Sequence, residues 1–279
     1  MRMLVFGNGW LGNLFSRKFD AVVSDADILD MEAVGADMFE HQPDVVVNAA
    51  AKCGSPNIDW CEKTPENRRL TWYVNALGPA LLHSFCRASR RDVKFVHLSS
   101  GCLWTDGVGM TEKSRPIPPS WYSTTKLIGE EKLLSALDMG AIVMRLRMPI
   151  DREPHPRNYI TKLASFKKVV ALPNSYTIVD DMLDALAFLL EKDASGVFHV
   201  VNGGSMTAEE ILKCYCRKID PDHTWQRVMM EELHAAGLIK ATRSSCVISN
   251  AKLRKLGYRM KPLRQRLPHV MDEYAEAIK

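Results

Sequence analysis

The chain has 279 residues, of which 46% are hydrophobic and 25% charged. Those are globular proportions, and they exclude a disordered, collagen-like or low-complexity protein. With 37 Lys and Arg against 33 Asp and Glu the net charge is +4, too mild to call for nucleic acid or an acidic membrane.

Residues 3–6 form an apolar run and predict a strand, and residues 11–19 carry a helical pattern. A short strand is predicted at 21–24 and a helix at 31–41. Residues 44–49 contain Val45, Val46 and Val47, an apolar run of the kind that parallel strands covered on both faces carry. A long helix follows at 74–90, a strand at 94–98, a helix at 122–137 and a strand at 141–146. This alternation predicts an α/β fold, a doubly wound parallel sheet with helices on both faces, over residues 1–150. Residues 151–157 are polar and contain Pro154 and Pro156, which reads as a loop. Beyond it a helix is predicted at 160–168, a strand at 176–179, a helix at 181–191 and a strand at 198–201. Thr207 with Glu210 three residues on reads as a capping box. Residues 151–279 thus predict a smaller C-terminal α/β lobe, with residues 170–202 returning to the first domain.

Seven cysteines stand at 53, 61, 86, 102, 214, 216 and 246. An odd, sparse set argues against a disulfide framework and for a reducing compartment, hence the cytoplasm. Cys214 and Cys216 lie two apart in a helical pattern and face different sides; without a CxxC or a His cluster no metal site is expected. No apolar run approaches the roughly 18 residues of a membrane span, and the first residues lack a signal-peptide pattern. Residues 252–266 hold seven basic side chains and no acidic one. With Tyr258 the single aromatic among them, a solvated or domain-bridging surface is expected rather than a nucleic-acid patch.

Gly7-Asn8-Gly9-Trp10-Leu11-Gly12 is a GxGxxG that follows the first strand and opens the first helix, the context a dinucleotide site requires. The first glycine permits the turn, the second admits a pyrophosphate to the backbone, and the third lets helix pack on strand. Asp25 and Asp27 lie 18 and 20 residues after Gly7, past the second strand. A carboxylate there accepts from a ribose hydroxyl and repels a 2′-phosphate, which favours NADH over NADPH. Arg17 and Lys18, on the first helix, are the basic residues that would reverse that preference.

Tyr122 and Lys126 stand four apart on a helical pattern and share a face. An ammonium beside a phenol is expected to lower the phenol's pKa and suit it to proton transfer. Ser100, at the end of the strand one βα step earlier, is placed to hold a carbonyl oxygen beside that tyrosine.

A glycine fingerprint, then a serine at a later strand end, then Tyr-x-x-x-Lys, resembles the short-chain dehydrogenase/reductase superfamily, whose sheet is Rossmann-like. Asn48-Ala49-Ala50 and Asn75 resemble parts of its extended branch. The segments 56–62, 100–102, 121–126, 145–150, 156–162, 172–178 and 243–245 resemble one enzyme type in particular. That type is the bifunctional UDP-4-keto-6-deoxyglucose 3,5-epimerase/4-reductase, and the resemblance runs over nearly the whole chain. It implies a nucleotide-linked 4-keto-6-deoxy sugar (UDP or dTDP) as substrate, reduced at C4 to nucleotide-L-rhamnose with NADH or NADPH. It also implies Tyr122 as proton donor, Lys126 on the cofactor ribose, Ser100 as the hydroxyl partner, and Cys102 and Lys162 as the epimerising base and acid. Asn158, Lys162, Cys102 and Arg243 become candidate substrate contacts, Arg243 for the diphosphate. From the residues alone Cys102 reads equally as a packed thiol, Lys162 as a helix lysine, and Trp60, Trp104 and Trp121 as pocket lining or core. The glycine loop is one residue shorter than is usual in the extended branch. Asn8 stands where relatives that use NADPH often have a basic residue, which again favours NADH. A 4-reductase without epimerase activity, like dTDP-4-dehydrorhamnose reductase, and a non-catalytic regulatory subunit on the same fold are the alternatives. The resemblance also suggests a homodimer through the helices at 74–90 and 122–137.

Overall fold

A computed structural model describes residues 1–89, 92–133 and 140–279. The chain divides into two compact units. The first comprises Met1–Leu103, Pro116–Arg145 and Leu189–Phe198; the second comprises Trp104–Arg115, Leu146–Phe188 and His199–Lys279. Of residues 170–202, Leu189–Phe198 therefore group with the first unit and their flanks with the second.

The central sheet has six strands in the spatial order Gly196–His199, Ile142–Leu146, Lys94–Ser100, Val45–Asn48, Met3–Phe6 and Val22–Ser24. From Val22–Ser24 through Lys94–Ser100 every pairing is parallel. The apolar strands are covered on both faces: Leu4, Val5, Phe6, Val46, Val47 and Val96 have no exposed surface. From Met3–Phe6 the chain moves outward to Val22–Ser24, then crosses to Val45–Asn48 on the other side. That reversal puts a crevice at the carboxyl ends of these strands, where doubly wound sheets take their ligands.

Strands 3–6 and helix 31–41 lie where the sequence places them; the other elements shift, for physical reasons. The helix expected at 11–19 is two pieces, Trp10–Leu14 and Ser16–Phe19. The Ser16 hydroxyl donates to the Asn13 carbonyl at 2.7 Å, competing with the backbone ladder. The helix expected at 74–90 starts earlier, as Pro65–Trp72, widens to a π-helical turn at Tyr73–Leu77 and continues as Gly78–Ala88. Pro79 has no N–H to offer the Asn75 carbonyl, so the ladder must change register there. The end of that expectation, at residue 90, lies outside the described residues, as does the end of the helix expected at 122–137, which is seen as Trp121–Lys132. Lys94–Ser100 is two residues longer than expected and ends on Ser100 itself.

In the second unit the helix expected at 160–168 stops at Ala164, where Ser165 turns its hydroxyl back to the Lys162 carbonyl at 2.7 Å. Lys168–Val169 then forms a strand paired with Gln226–Arg227. Asp106–Met110, unanticipated as a strand, pairs in parallel with Ser245–Ile248. The core of this unit gathers Ile160, Leu163, Ile178, Ile211, Leu267 and Met271. Two residues of its basic segment are ion-paired: Arg264 lies 2.6 Å from Glu210, and Arg266 contacts Asp181 at 3.2 Å, Asp180 at 3.7 Å and Glu273 at 3.8 Å. Among the described residues no helix is long and apolar enough to cross a membrane.

The capping box at Ala208–Lys218 forms in full: the Thr207 hydroxyl accepts from Glu210 N at 3.2 Å and the Glu210 carboxylate accepts from Thr207 N at 2.8 Å. Thr207→Ala is expected to cost about 1 kcal/mol, read as a lower urea midpoint at unchanged slope.

Candidate active site

The three glycines of the first loop are required for three different reasons. Gly7 follows the first strand at φ +110°, and a Cβ there would come within 2.4 Å of Ala50 N. A Cβ on Gly12 would come within 2.0 Å of the Gly7 carbonyl oxygen, so only glycine lets the helix sit this close. At Gly9 a Cβ would meet nothing within 4 Å; the backbone there faces open space. Beside it the buried Asn48 amide accepts from Ala50 N at 3.1 Å through Oδ1 and leaves its Nδ2 without a partner. Ala49 N donates to the Phe6 carbonyl at 2.8 Å. An open backbone cradle with an unused amide donor beside it fits the pyrophosphate of a dinucleotide.

Asn8 closes the loop toward the second strand. Its amide donates to the Asp25 carboxylate, while Asn13 Nδ2 donates to Asn8 Oδ1 at 2.8 Å and to the Gly9 carbonyl at 2.9 Å. Asp25 thus stands beside the glycine loop. Asp27 instead turns its carboxylate to Leu29 N at 3.0 Å, ahead of the Asp30 cap of Met31–His41. Trp10 and Leu11 open the first helix, with Arg17 and Lys18 on the second piece.

Asn75 sits in the π-helical turn with no exposed surface. It binds the Lys52 backbone on both sides, accepting from Lys52 N and donating to Lys52 O, each at 2.8 Å, and also donates to Thr125 Oγ1 at 3.2 Å. It therefore fixes the segment after Val45–Asn48, Cys53 included, against Trp121–Lys132.

Ser100, Cys102, Tyr122 and Lys126 are brought together in the first unit. The Ser100 hydroxyl accepts from Cys102 N at 3.0 Å and is hydrogen-bonded to the Tyr122 phenol. Cys102 is half-buried and is not in a disulfide. Lys126 is 1% exposed; its Nζ donates to the Leu98 carbonyl at 2.9 Å and lies 3.4 Å from His97 Nε2.

The electrostatics correct one expectation. Burial pushes the Tyr122 phenol well above its ordinary range, with Cys53 and Cys102 adding to the rise and the Ser100 bond opposing it. The phenol is raised rather than lowered because desolvation outweighs the effects that would lower it. Tyr122 therefore holds its proton at neutral pH, as a proton donor must. Burial also lowers Lys126 to about 8, while Glu130 acts to raise it.

Sequence reading missed the groups beneath this pair. Glu130 follows Lys126 by one turn and Tyr122 by two on the same helix. Its carboxylate accepts from the Ser99 hydroxyl and from Arg145, through Nε at 3.0 and 3.1 Å and through a terminal nitrogen at 2.7 Å. Both charged residues are buried. The i, i+4, i+8 spacing was the available signal. His97 and the thiols of Cys53 and Cys61 near Tyr122 left none, since strand and loop bring them in from afar. Burial pushes the Cys61 thiol up to about 11.

The remaining candidates belong to the second unit. Lys162 lies on Tyr159–Ala164, its N–H bonded to the Asn158 carbonyl at 3.0 Å. Asn158 caps that helix, and its amide is spent on the backbone of Asp151, Glu153 and Ile160; it has no exposed surface. It shapes the loop that presents Lys162. Arg243 is half-buried and donates to the Ala241 carbonyl at 2.9 Å. Trp104 is core: it is 2% exposed and its indole N–H donates to the Arg115 carbonyl at 2.9 Å. In the first unit, Trp60 is half-buried, and Trp121 packs under the Arg68 guanidinium at 4.2 Å and donates to the Arg68 carbonyl.

Residues 1–276 match the RmlD substrate binding domain family. The chain belongs to that family. It is 32% identical over 267 residues to the bifunctional dTDP-4-dehydrorhamnose 3,5-epimerase/dTDP-4-dehydrorhamnose reductase of Arabidopsis thaliana, covering 90% of this chain and 86% of the relative. It is 33% identical to the trifunctional UDP-glucose 4,6-dehydratase/UDP-4-keto-6-deoxy-D-glucose 3,5-epimerase/UDP-4-keto-L-rhamnose-reductase RHM3 of the same plant, covering 91% of this chain but 40% of that longer protein. Among solved structures it resembles the L780 UDP-rhamnose synthase from Acanthamoeba polyphaga mimivirus, with a TM-score of 0.88 and 26% identity over 98% of this chain and 99% of that one.

The pKa of Lys126 carries a stability consequence. Its folded-state value, about 8, lies below the ordinary 10.5, so between those values the unfolded chain binds the extra proton and stability rises with pH. The buried thiols Cys61 and Cys86, raised by burial, act in the opposite direction in both proteins, so urea unfolding between pH 8 and 10 is expected to show a stability difference, wild type minus Lys126→Met, that grows with pH.

Proposed function

We propose that the protein is a nicotinamide-dependent enzyme that converts a nucleotide-linked 4-keto-6-deoxyglucose, UDP-linked in our reading, to the nucleotide-L-rhamnose by 3,5-epimerisation and 4-reduction. The observation that carries this reading is the Ser100 hydroxyl, which joins the protonated Tyr122 phenol to the Cys102 backbone at one strand end. A phenol that keeps its proton and a thiol two residues past Ser100 thus meet at the same strand end. The names of the mimivirus and trifunctional plant relatives support the UDP sugar.

The chemistry follows from the ketone at C4. It acidifies the protons on C3 and C5, and removing either gives an enolate whose charge rests on the C4 oxygen. Cys102 is assigned as the carbon base, in its thiolate form, and Lys162 as the acid that returns the proton from the other face. A nicotinamide held in the cradle would supply the hydride that C4 takes up. Tyr122 gives its proton to the resulting oxygen while Ser100 holds that oxygen in place. Lys126 binds the cofactor ribose. Gly7, Gly9 and Gly12, with Asn8, Trp10, Leu11, Asn48, Ala49 and Ala50, form the dinucleotide cradle, and Asn75 braces it. Asp25, held beside the loop by Asn8, accepts from the adenosine ribose and opposes a 2′-phosphate, so NADH is the assigned cofactor. Arg243, in the second unit, is assigned to the substrate diphosphate; that unit is the substrate-binding part. Seven cysteines outside any disulfide support a cytoplasmic setting, and a homodimer, checked by sedimentation velocity, belongs to the same reading.

The test is proton NMR in D₂O with UDP-4-keto-6-deoxyglucose and NADH. The wild type is expected to place deuterium at C3 and C5 and to form rhamnose. Cys102→Ala should lose the exchange yet still reduce a sugar epimerised beforehand. Tyr122→Phe should keep the exchange and lose reduction by about 100-fold or more. Reduction without deuterium in the wild type would leave a 4-reductase alone, and turnover with NADPH but not NADH would reverse the cofactor assignment.

A further inference from the structure

Lys126 is hydrogen-bonded in a way the reaction does not by itself require. An ammonium has three N–H groups and no lone pair. One goes to the Leu98 carbonyl at 2.9 Å, and a second faces His97 Nε2 at 3.4 Å, at the long end of hydrogen-bond distance. Facing a donor, Nε2 must be the acceptor, so the imidazole proton sits on Nδ1. His97 has no exposed surface, and its Nδ1 is a buried polar atom with no hydrogen-bond partner among the described residues. Leaving such an atom unmatched is costly, and a buried polar group kept at that cost calls for a function.

We propose that His97 is a positioning residue of the reduction: its neutral ring accepts one N–H of Lys126 through Nε2, and with the Leu98 carbonyl it leaves a single ammonium N–H for the cofactor ribose. This rests on the nicotinamide-dependent reading above. The charged groups around Lys126 fit the role. Glu130 lies one turn along the same helix, bound to Arg145 and Ser99. Cys53 comes from the segment after Val45–Asn48, and Tyr122 from the preceding turn. Glu130 favours the ammonium, which needs the help because burial works against it. Burial first and the Lys126 charge second hold the His97 imidazole far below its usual pKa, so it remains an acceptor throughout the neutral range.

Two substitutions test this. Leucine fills the site without an acceptor; glutamine carries a carbonyl oxygen near the position of Nε2. His97→Leu is expected to lower kcat about tenfold or more, to weaken NADH binding, and to shift the alkaline limb of the pH–rate profile to lower pH, with KM for the sugar unchanged. His97→Gln should restore kcat to within about threefold. A folded His97→Leu protein with wild-type kcat, NADH affinity and pH profile overturns the proposal. Nitrogen-15 NMR of histidine-labelled wild-type protein gives a readout that needs no folded leucine variant and no turnover. The resonance missing from the His97→Gln spectrum should report an Nδ1–H tautomer that does not titrate from about pH 5 to 8. An Nε2–H tautomer, or a titrating ring, overturns the proposal. If the wild type reduces no 4-keto sugar while this signature is present, the assigned reaction has failed and the His97–Lys126 contact stands.

Discussion

A lysine ammonium with 1% of its surface exposed has to be solvated by the protein, and much of the first unit is arranged around doing so. The Leu98 carbonyl and the His97 ring take the place of water on two sides of Lys126. Glu130 supplies an opposing charge one turn away, and that buried carboxylate in turn needs the Arg145 guanidinium and the Ser99 hydroxyl. These partners come from one helix and two neighbouring strands, so helix and sheet must hold a close, fixed distance. The same closeness is visible on the helix's other contacts. Gly129 leaves so little room that a Cβ would sit 2.3 Å from the Asn75 carbonyl oxygen, and the Asn75 side chain, in the π-helical turn, binds Lys52 and Thr125. One buried charge thus links the strand end, the helix and the segment bearing Cys53.

The second unit handles its buried charge differently. Arg147 has no exposed surface. Its guanidinium donates to the Ser244 hydroxyl at 2.8 Å and the Ser244 carbonyl at 3.3 Å, and it also reaches the Asn174 amide oxygen. The Ser244 hydroxyl donates a hydrogen bond to the Trp104 carbonyl, and Asn174 Oδ1 accepts from Cys246 N at 3.1 Å. Neutral dipoles from three separate segments surround a fixed cation, and in doing so they pin the parallel pair Asp106–Met110 and Ser245–Ile248. The segment carrying Arg243 is held from its C-terminal side by this clamp.

The proton chemistry follows from desolvation more than from charge pairing. A phenol that burial drives upward stays protonated through the neutral range. The lysine contributes in another way, as a donor whose free valence is limited by its neighbours on the strand.

Local signals were enough for much of this protein. The apolar runs at 3–6 and 45–48, the helix at 31–41, the capping box at Thr207, the glycine loop, Tyr122 with Lys126, and Ser100 at a strand end are all written in short spans of chain. Their physics acts over a few residues: turn sterics, helical periodicity and strand burial. Tertiary structure alone decided where Lys126 points, that Asp25 rather than Asp27 stands beside the glycine loop, that Trp104 is core, and that the amide of Asn158 is consumed by its own loop. It also decided the roles of His97, Glu130 and Arg145, residues 15 to 48 positions apart that meet only when the sheet forms. Hydrogen bonds and desolvation depend on which groups become neighbours in the dry interior, and periodicity along the chain carries no record of that.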